Sequence, residues 1–408
     1  MHALSDILSH NLHLSLVLCT IYSISRAILY ISLLIQLSHA SIVCLSIHML
    51  QGINWPLWLG SAVVAVLSAI FMSWFSVPEK KEGEFGPKST AKEVCDYYAK
   101  NDAKFLEGKT FIVTGGNSGI GLESVKALCS IGARVILCTR SIENGEKAVQ
   151  EEVKQLGAGG YKVDNPDIVI KQVDLEDLNS VRRFAGDIIT SEPRIDGIIL
   201  NAGIMAVPTL EFTRSTFERQ IGVNHLGHFY LFQLLEQKIL TQKFPSRVVT
   251  LTSYFHQYGK IDSDDMHYKK GRSYSSWGAY GQSKLANLLF AKSLADRFKE
   301  KGVKISSLSV HPGVITTGLH RNLGPVGKFM YDWIVADKTI PEGASSSLYA
   351  LLNPQLSEDV HAGAYISDCK VTKPLCEAGV DLSGENRKKL WEASERSISQ
   401  AMAGQDVE

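Results

Sequence analysis

The stretch TGGNSGIG, Thr114 to Gly121, carries most of the information about the fold. It stands between a short apolar run, Thr110–Thr114, and a segment of helical period that continues to Ser130. Glycines at 115, 119 and 121 allow a tight turn and a close approach of backbone to a ligand. Such a turn aims the free N–H groups and the positive dipole end of the following helix at a pyrophosphate. The spacing is GxxxGxG rather than GxGxxG, but the mechanics are shared. A glycine-rich turn alone is weak evidence. A strand before it and a helix after it read as a nucleotide cradle.

Working outward, apolar runs recur at Val135–Cys138, Ile168–Val173, Gly197–Leu200, Val248–Thr252 and Ile305–Val310. Most are separated by segments of helical period, such as Leu178–Ile189 and Ala279–Lys299. That rhythm predicts an α/β fold, a doubly wound parallel sheet with helices on both faces. The second run ends at Thr139-Arg140. A site built for NAD would place a carboxylate there for the ribose hydroxyls. Arg140 instead offers a fork for a 2′-phosphate, which favours NADP(H). A surface arginine is the plain alternative.

Tyr280 and Lys284 lie four apart in AYGQSKLANLLFAKSLADRF, so both fall on one face of a helix. With 14 tyrosines in the chain such a pair can arise by chance. Its placement after a run ending at Ser253 (VVTLTSY) gives it weight. A carbonyl that accepts a hydride must also receive a proton on oxygen. Free tyrosine titrates near pH 10. An ammonium about 5 Å away at an effective dielectric of ~20 would favour phenolate by roughly 3 kcal/mol, about two pKa units. The phenol would then serve as acid or base near neutrality. Ser253 could hold the substrate oxygen. Helix packing is the plain reading of Tyr280.

Taken in order, TGGNSGIG, Asp174 in VDLEDL, Asn201-Ala202-Gly203, Asn224 in VNHLGHF, Ser253, YGQSK and HPG at 311–313 resemble the short-chain dehydrogenase/reductase family. NHLGHFYL, YGQSKLANLLFA and HPGVITTGLHR are similar to its retinol dehydrogenase and WW-domain-containing oxidoreductase branch. The resemblance covers about residues 105–400 and implies a Rossmann fold. It implies that Gly115, Asn117, Ser118, Gly119, Ile120 and Gly121 line the dinucleotide, with Arg140 on the adenosine phosphate. Asp174 and Leu175 would flank the adenine, and Asn201, Ala202 and Gly203 the ribose. Asn224 would be a fourth catalytic residue that kinks its helix and holds a water leading to the lysine. Lys284 would also grip the nicotinamide ribose, Tyr280 would stand beside it, and Pro312, Gly313, Val314 and Thr317 would clamp the carboxamide. Singly, Asn201-Ala202-Gly203 could be a strand-end turn and Asp174 a helix cap. Relatives often pair through the helix carrying the tyrosine, which allows a homodimer.

Composition changes near residue 78. From Ala27 to Val77 there is no Lys, Arg, Asp or Glu. Two 21-residue apolar stretches, 27–47 and 57–77, match the roughly 20 residues a helix needs to cross a bilayer. Trp55, Trp58 and Trp74, then Lys80 and Lys81, suit interfacial anchors and a cytosolic following domain. Residues 1–80 are therefore expected to form a membrane anchor of one or two helices, in the endoplasmic reticulum or another organelle membrane. An organelle transit peptide and a buried core helix are the alternatives. Residues 81–105 read as a linker and short helix, 106–400 as the oxidoreductase domain and 401–408 as a tail.

Charge excludes some functions. Forty-two basic and 42 acidic residues cancel, and no basic stripe suggests nucleic acid. Seven cysteines form no CxxC pair. His225 and His228 have no third ligand nearby in sequence, so packing or backbone contact is preferred over a metal. A hydrophobic alcohol or carbonyl is the expected substrate. The insert FHQYGKIDSDDMHYKKGRSYSSWG is expected to be exposed, as a cap on the pocket or an interaction surface. Apolar residues of the 314–340 loop, Phe329, Met330 and Trp333 among them, could form a lid or pack as an ordinary helix. Two other functions fit the same residues: a nucleotide-sensing interaction protein, and a reductase of a carbon–carbon double bond such as the protochlorophyllide reductases of this family.

Overall fold

The computed structural model describes residues 83–102, 104–153, 161, 165–315, 337–405 and 407. The chain divides into two units, Met1–Lys80 and Lys81–Glu408. The expected membrane anchor lies outside the described residues. So do Thr317 and the apolar residues of the 316–336 segment. Among the described residues no helix is long and apolar enough to cross a membrane.

The second unit opens with α1 (Ala91–Ala99), started by a capping box in which Thr90 and Glu93 satisfy each other's backbone N–H groups. Then follow β1 (Thr110–Thr114), α2 (Gly119–Ser130), β2 (Arg134–Thr139), α3 (Ile142–Ala148), β3 (Ile168–Gln172), α4 (Leu178–Ser191) and β4 (Gly197–Leu200). A helical turn at Arg219–Ile221 and a π-helical turn at Gly222–Leu226 run without a break into α5 (Gly227–Leu240). Next come β5 (Ser246–Leu251), α6 (Ser276–Glu300), β6 (Ile305–His311), α7 (Ile340–Leu352), β7 (Tyr365–Ser367), β8 (Lys370–Thr372), α8 (Glu377–Val380) and α9 (Glu385–Met402).

The strands form one sheet in the order β3-β2-β1-β4-β5-β6-β7-β8. Every neighbouring pair is parallel except β7 and β8. The chain moves outward from β1 to β3 and then returns to lay β4 on the other side of β1. That reversal opens a crevice at the carboxyl ends of β1 and β4, the place where open α/β sheets bind ligands.

Alternation along the strands feeds two cores. Ile112, Ile136, Ile198 and Val248 face α4, α5 and α6, meeting Val181, Phe184, Phe229, Phe232, Leu289 and Phe290. Phe111, Val113, Leu137, Ile199 and Val249 face the other side, against Val94, Val125, Leu128, Leu348 and Leu351 of α1, α2 and α7. Each such side chain contributes about 1.5–3 kcal/mol when removed from water. Both faces of the sheet are thus covered, and β1 is buried at all five positions.

One expectation changes here. The insert after Ser253 is not simply exposed: Asp265, Met266, His267 and Tyr268 are buried. His267 accepts from the Glu218 backbone and bonds Ser397 on α9, which ties the insert to the helical layer. The Tyr-bearing helix α6 is covered by the chain's own α9, where Trp391 packs on Phe290 and beneath the Arg297 guanidinium.

Candidate functional site

The end of β1 and the start of α2 form the cradle. Gly115 and Gly119 take positive φ, +65° and +54°. Gly121 is required by space: a Cβ there would overlap the Gly115 carbonyl and stand 2.6 Å from Asn201 Nδ2. Ser118 enters α2 in an extended conformation, and its side chain caps no N–H. The first turn of α2 therefore presents bare N–H groups to the cleft, as an anionic diphosphate needs. The residues present fit a dinucleotide.

The cleft, ≈ 350 Å³ in volume, is lined by Gly115 and Asn117 to Gly121 at that end. Thr139, Arg140, Ser141 and Asn144 lie at another border, and Asp174, Leu175 and Glu176 beside them. Arg140 keeps 57% of its side chain exposed, and its nearest carboxylate, Glu176, is 3.9 Å away. Glu176 is itself held by Arg219 at 3.1 Å. An exposed pair that long contributes little, so the guanidinium of Arg140 is free to take another anion. Asp174 does not cap α4. Its Oδ1 accepts from Glu176 N, whereas Asp177 caps the helix.

Asn201, Ala202 and Gly203 line the middle of the cleft. Asn201 Nδ2 donates to Thr114 O at 2.8 Å, which fastens the end of β4 to the end of β1. A Cβ on Gly203 would stand 3.1 Å from Asn224 Oδ1 and 3.5 Å from Lys284 Nζ, so these groups share one small space. Asn224 sits at the centre of the π-helical turn. Its amide donates to Ile204 O and Ser283 Oγ, and its Oδ1 accepts from Ile204 N. The kinked helix is thereby stitched to both the cleft wall and α6.

Tyr280 and Lys284 line the inner end of the cleft, on one face of α6 as their spacing predicts. Lys284 Nζ lies 5.7 Å from the Tyr280 ring centre and donates to Leu251 O at 3.2 Å. Ser253, just past β5, accepts from Phe255 N at 3.3 Å, and its hydroxyl lies near enough to Tyr280 to lower that phenol's hold on its proton. Burial pushes the Tyr280 phenol up to about 12, and Ser253 offsets this only in part. Burial also lowers the Lys284 ammonium to about 8. The sequence led us to expect a lowered tyrosine, and the protein alone shows the reverse. Both groups are buried, and loss of solvation is the largest cause for each. Beside Tyr280 the wall is apolar: Met205 and Ala206, with Phe255 and Trp277 stacked 4.7 Å apart. Tyr274 in the insert donates to Val207 O and holds that wall in place.

Of the HPG loop, Pro312 lines the cleft. Gly313 (φ +92°) is crossed by the Lys338 side chain, and the Val314 backbone pairs with Asp337 and Lys338; neither is among the residues that line the cleft. Sequence reasoning passed over Ser141, Asn144, Glu176, Ile204, Val223 and Thr252, which also line it. Asn144 had a local signal, one helical turn beyond Arg140. The others owe their place to strand order. Neither histidine of VNHLGHF is placed with other ligating side chains. His225 bonds Ser394 on α9, and His228 lies between Thr114 and the Asn224 carbonyl. Among the described residues no cluster could hold a metal ion.

Residues 109–326 match the family model described as short chain dehydrogenase. Retinol dehydrogenase 14 of Mus musculus is 36% identical, over 72% of this chain and 87% of its own length. Retinol dehydrogenase 11 of the same species is 39% identical, over 71% and 86%. A crystal structure of an uncharacterized Mycobacterium paratuberculosis protein superposes with a TM-score of 0.56 at 33% identity, covering 73% of this chain and 96% of that one. The chain is an oxidoreductase that belongs to the short-chain dehydrogenase family, in its retinol-dehydrogenase-like branch.

Proposed function

We propose that this protein is an NADP(H)-dependent oxidoreductase of hydrophobic alcohols and carbonyls, retinoid-, steroid- or lipid-like. The observation that carries this reading is Tyr280 and Lys284 together in the cleft, with Ser253 close to the phenol and apolar side chains packed around it. When bound, the nicotinamide supplies or takes up the hydride. Tyr280 gives its proton to the substrate oxygen in reduction and regains it in oxidation. Its high affinity for that proton means the phenol is loaded at any physiological pH. Ser253, close to the tyrosine hydroxyl, would hold the substrate oxygen. Lys284 puts a positive charge near the developing oxyanion, and Asn224 keeps the π turn and α6 in register. Met205, Ala206, Phe255 and the indole ring of Trp277 make the packing around Tyr280 mainly apolar, which favours an apolar substrate.

NADP(H) over NAD(H) rests on the loosely paired Arg140 and on the absence of a carboxylate at the end of β2. Residues 1–80 would anchor the domain to a membrane, endoplasmic reticulum or another organelle, with the catalytic domain in the cytosol. Pairing of two copies through α6 would have to accommodate α9. The test uses the full chain in detergent micelles with NADPH or NADH and a set of retinoid, steroid and fatty aldehydes or ketones, with products identified by mass spectrometry. Alcohol formed with NADPH supports the reading. Dinucleotide binding without turnover would favour a nucleotide sensor, and a saturated carbonyl product would favour a carbon–carbon double-bond reductase.

A further inference from the structure

His228 is fully buried on α5 and is not among the residues that line the cleft, and the Lys284 ammonium acts on it through space. Its two ring nitrogens are both engaged: Nδ1 with the Asn224 carbonyl at 3.0 Å and Nε2 with Thr114 Oγ1 at 2.9 Å. A carbonyl can only accept, so Nδ1 carries the proton. Burial keeps the ring neutral, so Nε2 is a bare acceptor and must take the hydroxyl proton of Thr114. Thr114 has one proton to give. With that proton spent, its oxygen accepts from the N–H groups of Asn201 at 2.8 Å and Ala202 at 3.0 Å. Each donor and acceptor direction follows from the one before it.

We propose that His228 is a positioning residue that fixes the direction of the Thr114 hydroxyl and so ties the dinucleotide turn to the helix carrying Tyr280 and Lys284. On one side, Thr114 gathers the 201–203 turn against the end of β1. On the other, the Asn224 whose carbonyl His228 holds also donates to Ser283, next to Lys284 on α6. Cradle and proton donor come from different elements, and this imidazole is the buried node between them. Without it the Thr114 hydroxyl is left with Ile199 O, a long 3.4 Å away, as its acceptor, and its direction is no longer fixed.

The inference rests on the proposed NADP(H) site, and the test separates the two. The full-length chain is compared with His228→Leu, His228→Gln, Thr114→Val and the Thr114→Val/His228→Leu double variant. NADPH affinity is read by fluorescence titration and ligand-free melting temperature by scanning fluorimetry. Losing this network should weaken NADPH about tenfold in His228→Leu and in Thr114→Val. His228→Gln, whose amide oxygen can take the Thr114 proton, should recover most of the loss. The double variant should be no weaker than either single variant, in affinity and in melting temperature alike. Losses that multiply, or a His228→Leu protein that binds NADPH as the parent does, would overturn the inference. If His228→Leu fails to fold, His228→Met, whose side chain cannot take up the Thr114 proton as imidazole does, replaces it in the same cycle. A parent chain that binds no NADPH overturns the site instead, and the melting-temperature cycle still decides the link between His228 and Thr114.

Discussion

Gly121→Ala is the sharpest perturbation of the cradle. One methyl group is added, the turn sequence is otherwise intact, and alanine is the better helix former by about 1 kcal/mol. Against that gain stands the packing: the new carbon would overlap the Gly115 carbonyl and lie 2.6 Å from Asn201 Nδ2 and 2.9 Å from Gly115 C. Ordinary contacts begin near 3.4 Å. Two of these three atoms are backbone, and the third is a side chain pinned to Thr114 O, so nothing flexible can move aside. Overpacking of this kind costs about 1–3 kcal/mol, which exceeds the helical gain. The strain falls on the turn that would face the pyrophosphate, so NADPH affinity should drop by roughly 5- to 150-fold. Gly186→Ala is the matched control: Gly186 is exposed on α4 with nothing within 4 Å of a new Cβ. It should leave affinity unchanged and raise the melting temperature by about 1–3 °C. Isothermal titration with NADPH and scanning fluorimetry read both variants. A Gly121→Ala protein that binds NADPH within twofold of the parent would refute the reasoning.

Two further predictions concern charge. Arg140→Ser should reduce the preference for NADPH over NADH by roughly 10- to 100-fold, the worth of hydrogen bonds to a charged group, while leaving the affinity for NADH nearly unchanged; equal losses for both nucleotides would show that Arg140 does not read the phosphate. The ammonium of Lys284 is present below about pH 8 and lost above it, whereas the Tyr280 proton persists to about 12. Carbonyl reduction should therefore decline as pH rises through 8, and a kcat/KM profile flat to pH 10 would contradict that role for the lysine. Because the folded-state value of Lys284 lies below its ordinary 10.5, the same group makes stability rise with pH between about 8 and 10.5.

Much of the architecture was legible because the central strands are nearly continuous apolar runs bounded by turns. TFIVT at β1 and GIIL at β4 match their strands residue for residue, and Gly119–Ser130 matches α2. The edge was not legible. β7 and β8 have three residues each, too few to show a period, and β8 is exposed throughout. Helix α9 reads as polar, since its buried stripe is Leu390, Ala393, Ser394, Ser397 and Ile398, three of the five small or hydroxylated. In the site, spacing placed Tyr280 and Lys284 together, and glycine position found the cradle. The raised tyrosine was not legible, because it comes from burial beside Met205, Ala206 and the insert's Phe255 and Trp277, which only the fold brings to it. His228 and Thr114 are 114 positions apart, and only the fold joins them.

The account turns on Tyr280 as proton donor within a dinucleotide cleft. The most direct measurement gives NADPH deuterated at the transferable position to the parent chain and to Tyr280→Phe, with a retinoid aldehyde, and follows label in the alcohol together with NADPH affinity. Labelled alcohol from the parent, a loss of at least about a thousandfold in the variant and equal NADPH affinity in both are the predicted result. A Tyr280→Phe protein that transfers the label at the parent's rate would contradict the account.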